Sequence, residues 1–191
     1  MASPRQAERE QLRVLGEREF VASLVRDTQT PVLEIGAGTC ACLTLVLAVH
    51  DFRILAIDQD AIALPDARKV FAGVDLLRRV TLMQAAAVAL PLRPASTRTV
   101  VAYDALHHAK DLIGAVSEIA NILHPRGRLI VSDWDEPADG FLGRLTRALR
   151  TRFRNVVVIP RDVRRVYVCE RPRRLARRAR PWSRRKLSAR R

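Results

Sequence analysis

Pro31-Val-Leu-Glu-Ile-Gly-Ala-Gly-Thr-Cys40 is a short apolar run that breaks into a glycine turn, and a second run, Arg53-Ile-Leu-Ala-Ile-Asp58, ends on a carboxylate. The first reads as a buried strand. Glycines at 36 and 38 let the backbone bend sharply and approach a ligand with no Cβ in the way. The second reads as the neighbouring strand, with an acid at its tip. A carboxylate about twenty residues after such a turn is placed to accept hydrogen bonds from ribose hydroxyls. Asp58 therefore points to an adenosine-containing ligand.

Gly36, Gly38 and Ala41 fit the loose dinucleotide pattern G-x-G-x-x-G/A, so an NAD-type ligand is one reading. Glu34 opposes it, because it lies two residues before the first glycine, where a pyrophosphate would meet a like charge. S-adenosylmethionine carries a sulfonium and an ammonium and no phosphate. The acid pair Glu34 and Asp58 favours that cofactor.

At this point the chain resembles the class I S-adenosylmethionine-dependent methyltransferases, from about Pro31 to about Pro172. Val32-Leu-Glu-Ile-Gly-Ala-Gly-Thr39 is similar to the family's first motif and Leu55-Ala-Ile-Asp58 to its second-strand acid. Ala89-Leu-Pro-Leu92 resembles the segment after the third strand, and Ala105-Leu-His-His108 the stretch after the fourth. Ile122-Leu-His-Pro-Arg-Gly-Arg-Leu-Ile-Val131 resembles the helix end, turn and fifth strand often written L-x-P-G-G-x-L. The resemblance implies a Rossmann-like, doubly wound α/β fold: a mostly parallel seven-stranded sheet with a C-terminal antiparallel hairpin. It also implies that Glu34, Gly36, Ala37, Gly38, Asp58, Gln59 and Tyr103 surround the cofactor.

Two departures stand out. Cys40 takes the place of a third glycine, and Ala86 falls where many relatives have an acid that bonds the adenine amino group. Losing one charged hydrogen bond costs about 1.5–3 kcal/mol unless backbone groups compensate. Weak cofactor binding is one expected consequence.

A chain of 191 residues buries roughly 70% of its unfolded surface in one domain and leaves no room for a second substrate domain. No apolar run approaches the ~20 residues of a membrane span, and the charged N-terminus is unlike a signal peptide. The expected location is cytoplasmic. Cys40, Cys42 and Cys169 lack C-x-x-C spacing, which predicts reduced thiols and neither disulfides nor zinc. Arg171 to Arg191 holds ten Arg, one Lys and no acid, which is +11 of the net +14 and leaves +3 for the body. Residues 1–170 thus read as the folded domain and 171–191 as an Arg-rich disordered tail.

Arg5 to about Arg26 reads as a helix, with Gly16 as a candidate interruption and a place over the cofactor or substrate side. Strands are predicted at about 31–36, 53–58, 79–84, 99–104 and 128–133, separated by helical patterns. Asp111 is a candidate cap for a helix striped by Leu112, Val116, Ile119 and Leu123, ended by His124-Pro125-Arg126-Gly127. Asn155 to Ile159 and Arg165 to Cys169 are too close for a crossover helix and should pair antiparallel.

The carboxyl ends of parallel strands collect Glu34, Asp58, Asp104 and Asp133 along one edge. Asp104, His107 and His108 are the candidate catalytic residues, since a neutral histidine takes a proton from an oxygen or nitrogen acceptor near pH 7. A structural alternative puts one histidine under the sheet edge and the other at a helix cap. Asp58 has a similar alternative as a helix N-cap, and Trp134 reads either as facing the acceptor or as an edge tryptophan. Asp133, Asp135 and Glu136 are acids in a loop of the kind water solvates, and no metal is assigned.

The leading reading is direct methyl transfer from S-adenosylmethionine to an unidentified acceptor, with RNA or another polyanion met through 171–191. Trp182 would stack on a base there. The rival is a methyltransferase-like nucleic-acid-binding protein with weak or no catalysis. So small a body also admits a small acceptor enclosed by a partner protein.

Overall fold

The computed structural model describes residues 4–26, 29–39, 42–134 and 140–173. Cys40, Ala41, Asp135, Glu136 and the tail from 174 onward, with Trp182, lie outside them. The chain runs α1 (Pro4–Ser23), β1 (Val32–Ile35), α2 (Cys42–Val49), β2 (Ile54–Asp58), α3 (Ala63–Gly73), β3 (Val80–Gln84) and β4 (Thr97–Tyr103). A 3-10 turn (Leu106–His108), α4 (Leu112–Ile122), β5 (Leu123–Trp134), α5 (Phe141–Arg152), β6 (Phe153–Pro160) and β7 (Arg164–Pro172) follow. The seven strands form one sheet in the order β3-β2-β1-β4-β5-β7-β6. The first five are parallel, and β7 pairs antiparallel with both β5 and β6. This is the expected doubly wound sheet with its terminal hairpin.

Parallel strands need cover on both faces, and side chains alternate between them. On one face, Leu33, Val100, Leu129 and Tyr167 pack with Ile119 of α4 and Leu145 of α5. On the other, Val32, Ala56, Val101 and Ile130 pack with Val21 of α1, Leu47 of α2 and Phe71 of α3. Strand order reverses between β1 and β4, so a crevice opens beyond their carboxyl ends. The antiparallel direction of β7 brings its first residue to that same edge, where Arg164 is in register with Trp134.

Some expected boundaries move. The α1 helix passes through Gly16 without interruption. Leu123, predicted on the helical stripe, opens β5 instead, since Pro125 holds the residue before it extended and Leu123 already has ψ of 135°. Asp111 does cap α4, accepting a hydrogen bond from the Gly114 N–H at 2.8 Å. β7 continues to Pro172, and the Arg173 N–H donates to the Arg152 carbonyl at 2.7 Å, past the predicted domain end. Among the described residues, no helix is long and apolar enough to cross a membrane.

α1 is fastened across the edge by charge. Buried Glu17 accepts from Arg161 in the β6–β7 turn at 3.2 Å, Arg161 lies 4.3 Å over the Phe20 ring, and Arg13 pairs with Asp162 at 2.9 Å.

Leu145 is fully buried between α5 and the sheet. Replacing it with alanine should cost about 2–5 kcal/mol of unfolding free energy in a urea titration, because α5 is pinned at both ends and cannot collapse into the space.

Candidate active site

The glycine turn is built by backbone bonds from β1 to β2. The N–H groups of Gly36 and Ala37 both donate to the Ile57 carbonyl, at 2.8 and 3.0 Å. Gly36 and Gly38 have φ of +80° and +64°, which a side chain would strain. A Cβ on Gly36 would stand 2.5 Å from the Ala105 Cβ, so the turn also lies directly against the segment after β4. The two motifs separated by seventy residues form one wall.

Asp58 fastens this wall. One carboxylate oxygen accepts from the Gly38 N–H at 2.8 Å, and the other accepts from the Asp60 N–H at 2.9 Å. It is not the cap of α3, whose N-cap position is Ile62. Gln59 beside it is exposed, and its carbonyl accepts from the Gln84 amide at 3.3 Å. Ala86 is half-buried nearby in sequence, in the loop after β3.

Glu34 departs from the simple picture of a fixed negative charge. It is only 2% exposed, it faces α2, and it accepts a hydrogen bond from the Thr44 hydroxyl. Burial pushes its pKa up to about 8, against the opposing pull of the Thr44 bond and the Arg18 charge. At neutral pH the carboxyl is therefore mostly protonated. A sequence cannot show this, because the residue type is the same whether the strand end is wet or dry.

Tyr103 is buried at the end of β4, with the Arg18 guanidinium 5.6 Å from its ring centroid and that of Arg164 at 4.5 Å. The Tyr103 hydroxyl and Arg18 Nε are both buried and lack a hydrogen-bond partner among the described residues. Two donors thus stand idle above the β1 and β4 ends.

Of the three catalytic candidates, Asp104 is the one the geometry removes from base duty. Both of its oxygens are held by the Arg164 guanidinium, one at 2.7 Å, and its backbone is left-handed with φ of 50°. Arg164 is 3% exposed and also lies 4.0 Å over the Trp134 ring, which answers where that tryptophan sits. His107 is arranged differently. Its Nδ1 is 2.9 Å from Asp133 Oδ1, its ring meets Phe141 edge-on at 6.1 Å, and its side chain remains 30% exposed. A carboxylate at Nδ1 fixes the tautomer with the proton there and leaves Nε2 as the free base. Asp133 is 1% exposed, and burial raises its pKa, partly offset by His107. His108 packs its ring 3.9 Å from that of His107 and is exposed.

Arg18, Glu17 and Arg164 carry no signal in the sequence. The chain has 31 Arg among 34 basic residues, so an arginine at any given position is uninformative until its partners are seen.

A family model described as a methyltransferase domain matches residues 33–131. An O-methyltransferase of Pyrenophora dematioidea is 29% identical over 102 residues, covering 53% of this chain and 38% of that protein. A probable S-adenosylmethionine-dependent methyltransferase of Mycobacterium tuberculosis is 34% identical over 107 residues, covering 56% and 36%. The match thus spans less than half the length of these curated relatives. A crystal structure of a putative S-adenosylmethionine-dependent methyltransferase from Methanococcus maripaludis has a similar fold, with a TM-score of 0.68 at 16% identity, covering 83% of this chain and 86% of that one.

Because the Glu34 carboxyl has an ordinary pKa of 4.5 and a folded value of about 8, folding takes up a proton between those values. Stability should fall as pH rises through that window, by at most about 1.4 kcal/mol per pH unit for one proton. Glu34→Gln should flatten the dependence, and urea titrations at pH 5 and pH 8 should show the variant gaining on the wild type at the higher pH.

Proposed function

The chain belongs to the methyltransferase domain family, and from that premise we propose that it binds S-adenosylmethionine and methylates an oxygen or nitrogen acceptor with His107 as general base. The observation that carries the catalytic part is the His107–Asp133 contact beside the glycine turn. The cofactor part is supported by the fit of the wall to that molecule. Gly36 and Gly38 leave room for close backbone approach, Asp58 stands at the β2 tip for ribose hydroxyls, and the idle Arg18 and Tyr103 donors suit an α-carboxylate. The NAD reading loses its support, since the matching family model is a methyltransferase domain and the Mycobacterium tuberculosis relative is named as S-adenosylmethionine-dependent.

When bound, that cofactor supplies a methyl carbon already activated by its sulfonium. The protein's own task is then positioning, exclusion of water and removal of one proton. Asp133 holds the His107 ring by Nδ1, so Nε2 accepts the proton that the acceptor loses. The imidazolium that forms is stabilised by the Asp133 carboxylate, whose buried setting strengthens the attraction. Asp104 and Arg164 act as positioning residues, joining the end of β4 to the start of β7 so that the segment carrying His107 has a fixed origin.

An oxygen acceptor is favoured by the name of the Pyrenophora dematioidea relative, an O-methyltransferase. A second proposal concerns the basic C-terminal run, with RNA or another polyanion as its partner. Its support is the charge of the run, ten Arg and one Lys between Arg171 and Arg191 with no acid. A cytoplasmic location completes the reading, in keeping with the free, buried Cys169 thiol.

Calorimetry with S-adenosylhomocysteine should show binding by the wild type and loss of at least about tenfold in affinity for Asp58→Ala, a shift of roughly 1.4 kcal/mol. Absence of binding by the folded wild type would sink the cofactor assignment. Once an acceptor is in hand, His107→Gln should lower kcat by about 10²–10⁴-fold, with cofactor affinity unchanged. Asp133→Asn should lower kcat with the same signature, by misdirecting the tautomer.

A further inference from the structure

His107 has a second neighbourhood. It forms part of the wall of a cavity of about 540 Å³ between the start of α4 and the face of α5, a volume in the range that holds small-molecule ligands. Phe141, Leu112 and Ile113 give this cavity an apolar lining. Its charged lining is almost all of one sign. Lys110 enters from the α4 side, and Arg144, Arg147 and Arg152 enter from α5, against one carboxylate among the described residues, that of Asp111.

The charge is organised by the helix. α5 carries four Arg and no acid, and Phe141, Arg144 and Ala148 recur on the side that faces the cavity. Asp111 is committed to the α4 cap through one oxygen, and Arg152 is steadied by its Nε–H bond to the Ser117 hydroxyl at 2.9 Å. Lys110 and Arg147 are exposed and have no ion pair among the described residues. Water solvates each of these exposed cations, but several of one sign around an apolar slot raise a local positive potential that concentrates anions.

We infer that this cavity seats the methyl acceptor and selects a molecule with an anionic group, carboxylate or phosphate, on an apolar body. The inference rests on the methyltransferase reading and adds the substrate class to it. Phe141, against which His107 packs, is the first residue of α5, and Arg144 and Arg147 follow three and six residues later. At 1.5 Å per residue they stand roughly 4.5 and 9 Å along the axis from it. A hydroxyl offered to His107 Nε2 therefore leaves an acidic group on the far side of one aromatic ring among the guanidiniums. Bidentate arginine contacts suit both kinds of anion. In the transfer step the acceptor oxygen forms a bond to the methyl carbon, the carbon–sulfur bond breaks with its electron pair going to sulfur, and the acceptor proton goes to Nε2.

The test uses the full chain with S-adenosylhomocysteine present and measures binding of 4-hydroxybenzoate, 4-hydroxyphenyl phosphate and neutral 4-hydroxybenzyl alcohol by calorimetry. At least one acid should bind about tenfold tighter than the alcohol, and the tighter acid identifies the anion. In the double variant Lys110→Gln/Arg147→Gln that preference should shrink to within about threefold, with S-adenosylhomocysteine affinity and melting temperature unchanged. Equal binding of acids and alcohol, binding of none of the three, or a preference that survives the double variant would overturn the inference, provided S-adenosylhomocysteine still binds. Failure of S-adenosylhomocysteine itself to bind would instead overturn the methyltransferase reading beneath it.

Discussion

The ion pair between Asp104 and Arg164 is the constraint around which the carboxyl edge of this sheet is arranged. It joins the end of β4 to the start of β7 across the intervening β5, and it does so with a 3% exposed guanidinium. Desolvating two charges costs several kcal/mol per ion, which the pair recovers only with good geometry and further contacts. Here two parallel N–H···O bonds and the Tyr103 and Trp134 rings supply them. With Asp104 thus fixed in a left-handed conformation, the chain turns immediately into Ala105 and the 3-10 turn that carries His107. The pair is therefore less a source of stability than a means of aiming one imidazole.

The acids along that edge divide the work by environment. Asp58 is held by two backbone N–H donors, Asp104 by a guanidinium, Asp133 by an imidazole, and Glu34 by a hydroxyl and little else. A residue type that looks uniform in the sequence thus yields a clamp, an anchor, an orienting group and a carboxyl held mostly neutral. The difference lies in the partners, which come from five separate segments.

That division explains how far the sequence could be read. Val32 to Gly38 and Ile54 to Asp58 declare themselves because burial demands continuous apolar runs and the turn demands glycine. The parallel order follows from their alternation with helices, and the hairpin from the three residues between its strands. Leu123 was misread because its apolar spacing continued the helix, and only Pro125 revealed the stop. Within the site, Asp133 and His107 were visible as candidates, but their contact depends on β5 register. Arg18 and Arg164 could not be singled out from an arginine-rich background, and the neutral state of Glu34 depends on cover from α1 and α2. Positions set by local backbone rules were legible, whereas functions set by long-range charge pairing were not.

The outer strand β6 carries a further consequence. It is the last strand on its side of the sheet, and its run Val156-Val-Val-Ile159 is strongly β-forming, with Val157 56% exposed. Such a margin is a template for adding strands from other molecules. Arg154 at one end, Pro160 at the other and the net charge of +14 oppose that addition by repulsion and by a missing donor. Of these, only the proline is indifferent to salt. Whatever protection this edge has against strand addition is therefore largely electrostatic, and concentrated electrolyte or a polyanion that neutralises the arginines weakens it.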